Sequence, residues 1–180
     1  MPLPRFHRLA PLERARILAI ATRNVADHGA DMSIIDVAGE AGLSRSGIYN
    51  YFDGREDLLV AVRAAAADRV AEALGPWEPL PDVDSFWAAF HAGSQRLQFL
   101  LSEAPELRRV LEDAVPALQS WINGFFENAL DLGLVTTANR ALARAATGAI
   151  LAAADATELA AAGSVTPKDV ATVLRAIWHA

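Results

Sequence analysis

Residues 41–59 read AGLSRSGIYNYFDGREDLL. A helix-turn-helix needs a small residue where its two helices nearly touch, a corner residue that tolerates positive φ, and apolar side chains that wedge the pair together. Ala38 supplies the first, Gly42 the second, and Val37, Leu43 and Ile48 the third. The helix ends are set independently. Ser33 with Asp36 three residues on is a carboxylate variant of the capping box and opens one short helix, and Ser44 caps the next, which runs to about Asn50 or Tyr51.

If Val37, Leu43 and Ile48 point inward, Arg45, Ser46, Tyr49 and Asn50 face water. Arginine can make a bidentate contact to guanine, asparagine to adenine, and serine to several base edges or to phosphate. Gly47 allows close approach of the backbone. The hydroxyls of Tyr49 and Tyr51 suit phosphate oxygens, and Arg55 opens the following helix, where free N–H groups also attract anions. Ser33 and Ser44 are helix caps first and phosphate neighbours second. An ordinary solvated surface is the competing reading of this face, and the surrounding motif disfavours it. Arg5 and Arg8 suit an arm reaching toward DNA no better than a frayed terminus.

Outward from this corner the chain reads as helix throughout. Leu12 to about His28 carries Ile17, Ala21, Val25 and Ala26 and stops at Gly29; Arg55–Leu74 carries Leu58, Leu59, Val62, Ala66 and Val70 and stops at Gly75 and Pro76. Further on, Asp82 or Asp84 caps a helix to about Leu101, Pro105 sits in the first turn of another, Pro116 breaks or restarts it, and Gly133 ends the next. An alanine-rich helix covers roughly Thr137 to Ala162, and TPKD opens the last, with Thr166 as cap and Asp169 three residues past it. The expectation is an all-α protein of nine or ten helices without strands.

Composition narrows the function. The 180 residues carry a net charge of −6, with 53% hydrophobic and 7% aromatic residues. Residues 1–63 hold eight basic and eight acidic side chains, and residues 64–180 eight basic and fourteen acidic ones. The acidity therefore lies in the second part, which opposes indiscriminate phosphate binding. With no cysteine there is no disulfide, thiolate catalysis or cysteine-ligated metal. His7, His28, His91 and His179 show no metal-ligand spacing, and neither GxSxG nor a glycine-rich phosphate loop occurs, so no metal, cofactor or enzymatic activity is expected. No apolar run suits a signal peptide or a membrane span, which points to a cytoplasmic protein.

Two features of the second part bear on partners. Trp87, His91, Ser94 and Gln98 share a helix stripe beside Phe86, Phe90 and Leu97, and Trp121 and Phe125 repeat the spacing later. Large aromatics with a few polar tips suit a pocket for an uncharged, largely apolar small molecule, taking in Trp87, Phe90, His91, Ser94, Gln98, Trp121 and Phe125; plain core is the competing reading and the more economical one. Val170, Val173, Leu174, Ile177 and Trp178 form an apolar face on the last helix, and Leu142, Ala146 and Ile150 one on the helix before. These faces suit a homodimer interface or the chain's own core.

The stretch ILAIATRNVADHGADMSIIDVAGEAGLSRSGIYNYFDGREDLLVAV, from Ile17 through Val62, resembles the DNA-binding domain of the TetR family of bacterial transcriptional regulators. AGLSRSGIYNYF followed by a basic residue and EDLL is the most specific part. Ile35 stands where the family usually has a polar residue, and Arg55 where lysine is more usual, which keeps the charge and changes its geometry. The resemblance implies a DNA-binding domain over residues 1–60 and a helical ligand-binding and dimerisation domain over 61–180. It further implies a homodimeric repressor on a palindromic DNA operator, released by a small-molecule effector. A regulator without a ligand, whose second domain only dimerises or binds a partner protein, is the alternative.

Overall fold

Helix ends in the computed structural model follow local chemistry. It describes residues 1–111, 115–160 and 164–179, and among these it is all-helical: ten α-helices, one 3-10 turn and no strand. In chain order they are α1 Pro4–His7, α2 Pro11–His28, α3 Ile34–Glu40, α4 Arg45–Ile48, α5 Arg55–Leu74, α6 Val83–Glu103, α7 Glu106–Leu111, α8 Val115–Asp131, α9 Arg140–Ala160 and α10 Pro167–Trp178. Asp82 rather than Asp84 opens α6, its Oδ1 accepting from the Ser85 N–H at 2.8 Å. At α10 the capping box is reciprocal: Thr166 Oγ1 accepts from the Asp169 N–H and the Asp169 carboxylate from the Thr166 N–H.

Two expectations need correction. α9 begins at Arg140 rather than Thr137, because Asn139 Oδ1 takes the Leu142 N–H at 3.0 Å and so acts as the cap; positions 161 and 162 of the expected span lie outside the described residues. The start of the chain is not frayed. Pro4–His7 form α1, whose Phe6 is buried.

The chain divides into two units, Met1–Arg69 with Glu103–Ala114, and Val70–Ser102 with Val115–Ala180. In the first, Ile17 and Ala21 of α2, Val37 and Ala38 of α3, Ile48 of α4 and Leu58, Val62 and Ala66 of α5 are buried, as their spacing requires. α7 returns to this unit and lays Leu107 and Val110 against α2, with Arg109 Nη1 donating to the Ala26 carbonyl at 2.6 Å.

The core of the second unit is aromatic. Phe86 stacks on Phe125 at 4.8 Å between centroids, Trp121 stacks on Phe125 at 5.4 Å, and Trp77 meets Phe86, Trp121 and Phe125 edge-on. Such pairs add about 0.5–1.5 kcal/mol each beyond the area they bury. The segment after α5 is clasped by buried Asn128: its Oδ1 accepts from Trp77 Nε1 and from the Leu80 N–H, and its Nδ2 donates to the Leu80 carbonyl. Gly124 lets Trp77 come close, since a Cβ there would stand 3.0 Å from Trp77 Cβ. α9 packs on α8 and α10.

Candidate nucleic-acid interface

The corner between α3 and α4 is built by short-range bonds. Gly42 takes φ of 67°, where a side chain is disfavoured, and the Leu43 N–H donates to the Ala38 carbonyl at 2.8 Å, closing the end of α3. Val37 and Ile48 are wholly buried and Leu43 is half-buried, so the wedge expected from the spacing is in place.

α4 is only four residues long and rests on its cap. Ser44 Oγ accepts from the Gly47 N–H at 3.0 Å and lies 3.2 Å from Ser46 Oγ. A Cβ at Gly47 would stand 3.0 Å from Ser44 Oγ, so the glycine serves the cap as well as any close approach of DNA. Ser33 is likewise engaged, its Oγ accepting from the Asp36 N–H at 3.2 Å. Arg45, Ser46, Tyr49 and Asn50 are all exposed and form one polar row along α4 and the turn that follows. Tyr51 is half-buried against Phe6, with centroids 6.3 Å apart. Arg55 is exposed and 3.2 Å from Glu56, a surface pair too solvated to immobilise it.

The beginning of the chain joins this row. Phe6 packs on Phe52 at 4.8 Å, the Leu3 N–H donates to the Tyr51 carbonyl at 2.8 Å, and Arg14 Nη1 donates to the His7 carbonyl at 2.8 Å. The terminal ammonium pairs with Asp57, and that bond, against a smaller opposing effect of burial, holds the Asp57 carboxyl below the usual carboxylate range. So fixed, α1 sets Arg5 Nη1 3.0 Å from Asn50 Oδ1. The sequence reading missed this neighbour 45 positions away; the usable signal was Phe6, a lone aromatic in a proline-flanked stretch.

Within the second unit, Trp87, Phe90 and Phe125 are buried, and His91, Ser94 and Trp121 are half-buried. Ser94 Oγ donates to the Phe90 carbonyl at 3.0 Å, and Gln98 is exposed, so it does not join the aromatic cluster. Among the described residues Trp87 Nε1 is buried without a hydrogen-bond partner, and the Arg175 guanidinium lies 4.4 Å over the Trp87 ring. On α10, Val170, Leu174 and Trp178 are buried in the chain's own core. Its exposed apolar surface is Val173, with Ile177 half-buried beside it; on α9, Leu142 is exposed and Ala146 and Ile150 are half-buried. Burial thus removes Val170, Leu174 and Trp178, three of the five residues of the expected apolar face, from the surface available to a partner. Among the described residues no histidine, aspartate and glutamate side chains are grouped to hold a metal, and no helix is long and apolar enough to cross a membrane.

Comparison with known proteins agrees with this geometry. Residues 17–62 match the family model described as "Bacterial regulatory proteins, tetR family". Among solved structures, the fold is similar to that of a TetR-family protein from Vibrio parahaemolyticus, at 20% identity and a TM-score of 0.64, covering 93% of this chain and 97% of that one. It is also similar to a transcriptional regulator from Pseudomonas aeruginosa PAO1, at 20% identity and TM-score 0.62, covering 97% and 92%. A TetR-family transcription regulator from Marinobacter aquaeolei VT8 has 20% identity and TM-score 0.54, covering 93% and 94%. No curated protein matches the chain.

Proposed function

We propose, from the match of residues 17–62 to the tetR family of bacterial regulatory proteins, that the chain is a member of that family and a cytoplasmic homodimeric repressor. It binds a palindromic operator and is released by a small, largely apolar effector. The observation that carries the DNA reading is the exposed row Arg45, Ser46, Tyr49 and Asn50 on a capped helix braced from behind by buried Val37 and Ile48. Arg45 and Asn50 suit base edges; Tyr49, Tyr51 and Arg55 suit phosphates, and Ser33, Ser44, Ser46 and Gly47 shape the backbone that approaches them.

Two such helices must enter successive major grooves about 34–36 Å apart. A shift of a few ångströms in their separation would weaken both contacts together. The effector is proposed to act on this separation from among the aromatic side chains of the second unit, and by reciprocity operator DNA weakens effector binding by the same factor. The unpartnered Trp87 N–H supports an effector that offers a hydrogen-bond acceptor within an otherwise apolar body. The close stacking of Phe86, Phe125 and Trp121 favours the second reading, a regulator whose second unit serves only dimerisation or a protein partner.

The test is selection of bound sequences from a random duplex library at near-physiological salt, with Arg45→Ala and Tyr49→Ala in parallel. A palindrome with half-sites one turn apart, blurred at particular bases by Arg45→Ala and weakened evenly by Tyr49→Ala, is the expected result. No enrichment by folded protein would overturn the DNA reading. Titration calorimetry with apolar aromatic compounds separates the two readings of the second unit.

A further inference from the structure

We infer that Arg5 is a positioning residue that sets the base preference of Asn50, turning its amide so that the pair offers DNA mainly hydrogen-bond donors. The inference rests on the DNA-binding reading above. A guanidinium has five donors and no acceptor, so the 3.0 Å contact from Arg5 Nη1 can be made only to the carboxamide oxygen. The amide nitrogen, with its two protons, is then the end left to other partners.

The consequence is chemical. Reading adenine in the major groove requires asparagine to accept from the exocyclic N6 through its oxygen while donating to N7. Arg5 takes one of the two lone pairs of that oxygen and sets a positive charge beside it, which disfavours a second donor such as N6–H. Guanine presents two acceptors, O6 and N7, on the same edge and suits a donor-rich surface. The pair Arg5 and Asn50 therefore selects guanine over adenine at one position of each half-site.

Arg5 is held for this role. Phe6 is anchored against Phe52, the Leu3 N–H is bonded to the Tyr51 carbonyl, and Arg14 grips the His7 carbonyl, so α1 is fixed on both sides of Arg5. Asn50 is in turn bonded through its backbone N–H to the Gly47 carbonyl at 3.1 Å.

The experiment is library selection with the full chain and with Arg5→Gln, Arg5→Lys and Asn50→Ala, each checked for helical content. Glutamine carries no charge and both donates and accepts, so it no longer dictates the amide orientation; lysine remains an obligate donor. The inference expects Arg5→Gln to move the preference at one symmetric pair of positions from guanine toward adenine by about tenfold. Arg5→Lys should keep guanine, and Asn50→Ala should lose the preference at the same positions. An even loss of affinity with unchanged preferences would make Arg5 a phosphate contact and overturn the inference, as would an unchanged profile in Arg5→Gln. If the unsubstituted protein enriches no duplex, the DNA-binding reading falls and this inference falls with it, a result distinct from enrichment with an unmoved preference.

Discussion

Trp178 donates its indole N–H to Thr147 Oγ1 at 2.9 Å, and both side chains are wholly buried. Thr147 in turn donates its hydroxyl to the Ala143 carbonyl at 2.8 Å within α9, so the Trp178 bond fastens α10 to α9 inside an aromatic core. Thr147→Val keeps the shape and leaves the indole N–H without a partner, at a cost of about 1–3 kcal/mol. Adding Trp178→Phe should make the two changes cost less together than their sum, by roughly 1 kcal/mol. Urea unfolding followed by far-ultraviolet circular dichroism measures both. Strict additivity would mean that the bond contributes nothing.

Beyond its chain neighbours, Gly42 has nothing within 4 Å of the position a Cβ would take, while its φ is 67°. Replacement therefore costs backbone strain alone. Gly42→Ala should destabilise the protein by about 1–2 kcal/mol, and Gly42→Asn by less, because asparagine visits the left-handed region more readily. Thermal unfolding ranks the two. Equal stability of all three proteins would show that the corner does not need the left-handed conformation.

Val173 is 47% exposed and its neighbour Leu174 is wholly buried, so adjacent substitutions should separate assembly from folding. Val173→Glu should leave monomer stability within roughly 0.5 kcal/mol and halve the mass seen by sedimentation, as should Leu142→Glu at a residue 64% exposed. Leu174→Ala should lower stability by about 2–5 kcal/mol through the cavity it leaves. A Val173→Glu, Leu142→Glu double variant that sediments as a dimer would place the proposed interface elsewhere.

Asp169 is held below the usual carboxylate range by the Thr166 hydroxyl first and the Thr166 backbone N–H second. A depressed carboxyl contributes its stability above the pKa of the unfolded chain, near the ordinary value of 3.8, and loses it as pH falls through the lower folded value. Thr166→Ala removes the largest cause. The variant should be less stable than the parent at neutral pH, and the difference should shrink on acidification below about pH 4. Thermal midpoints at pH 7 and pH 3 test this, and a gap that widens at pH 3 would contradict it.

What the sequence by itself determined is local. Ser33, Ser44 and Thr166 cap helices through donors three residues on, and Gly42 closes α3 through bonds spanning at most five positions. Interactions this short form whatever the rest of the chain does, so the helix ends and the helix-turn-helix are legible in residue order. The exposed row Arg45, Ser46, Tyr49 and Asn50 follows once Val37 and Ile48 are turned inward. The stripe Leu58, Leu59, Val62, Ala66 and Val70 is buried as its period requires.

Tertiary structure decided what covers each face. Periodicity put Val170, Val173, Leu174, Ile177 and Trp178 near one side of α10, but only packing separated the three that enter the core from the surface at Val173. Gln98 shares a stripe with Trp87 and still points to solvent, because a period tells which residues are aligned and not how far along the helix the neighbouring elements reach. The return of α7 to α2, the Asn128 clasp on Trp77 and Leu80, and the contact of Arg5 with Asn50 join residues 83, 51, 48 and 45 positions apart. Such contacts depend on how whole elements bury their apolar area against one another. No window of the sequence contains both partners, and the orientation of the Asn50 amide is set by one of them.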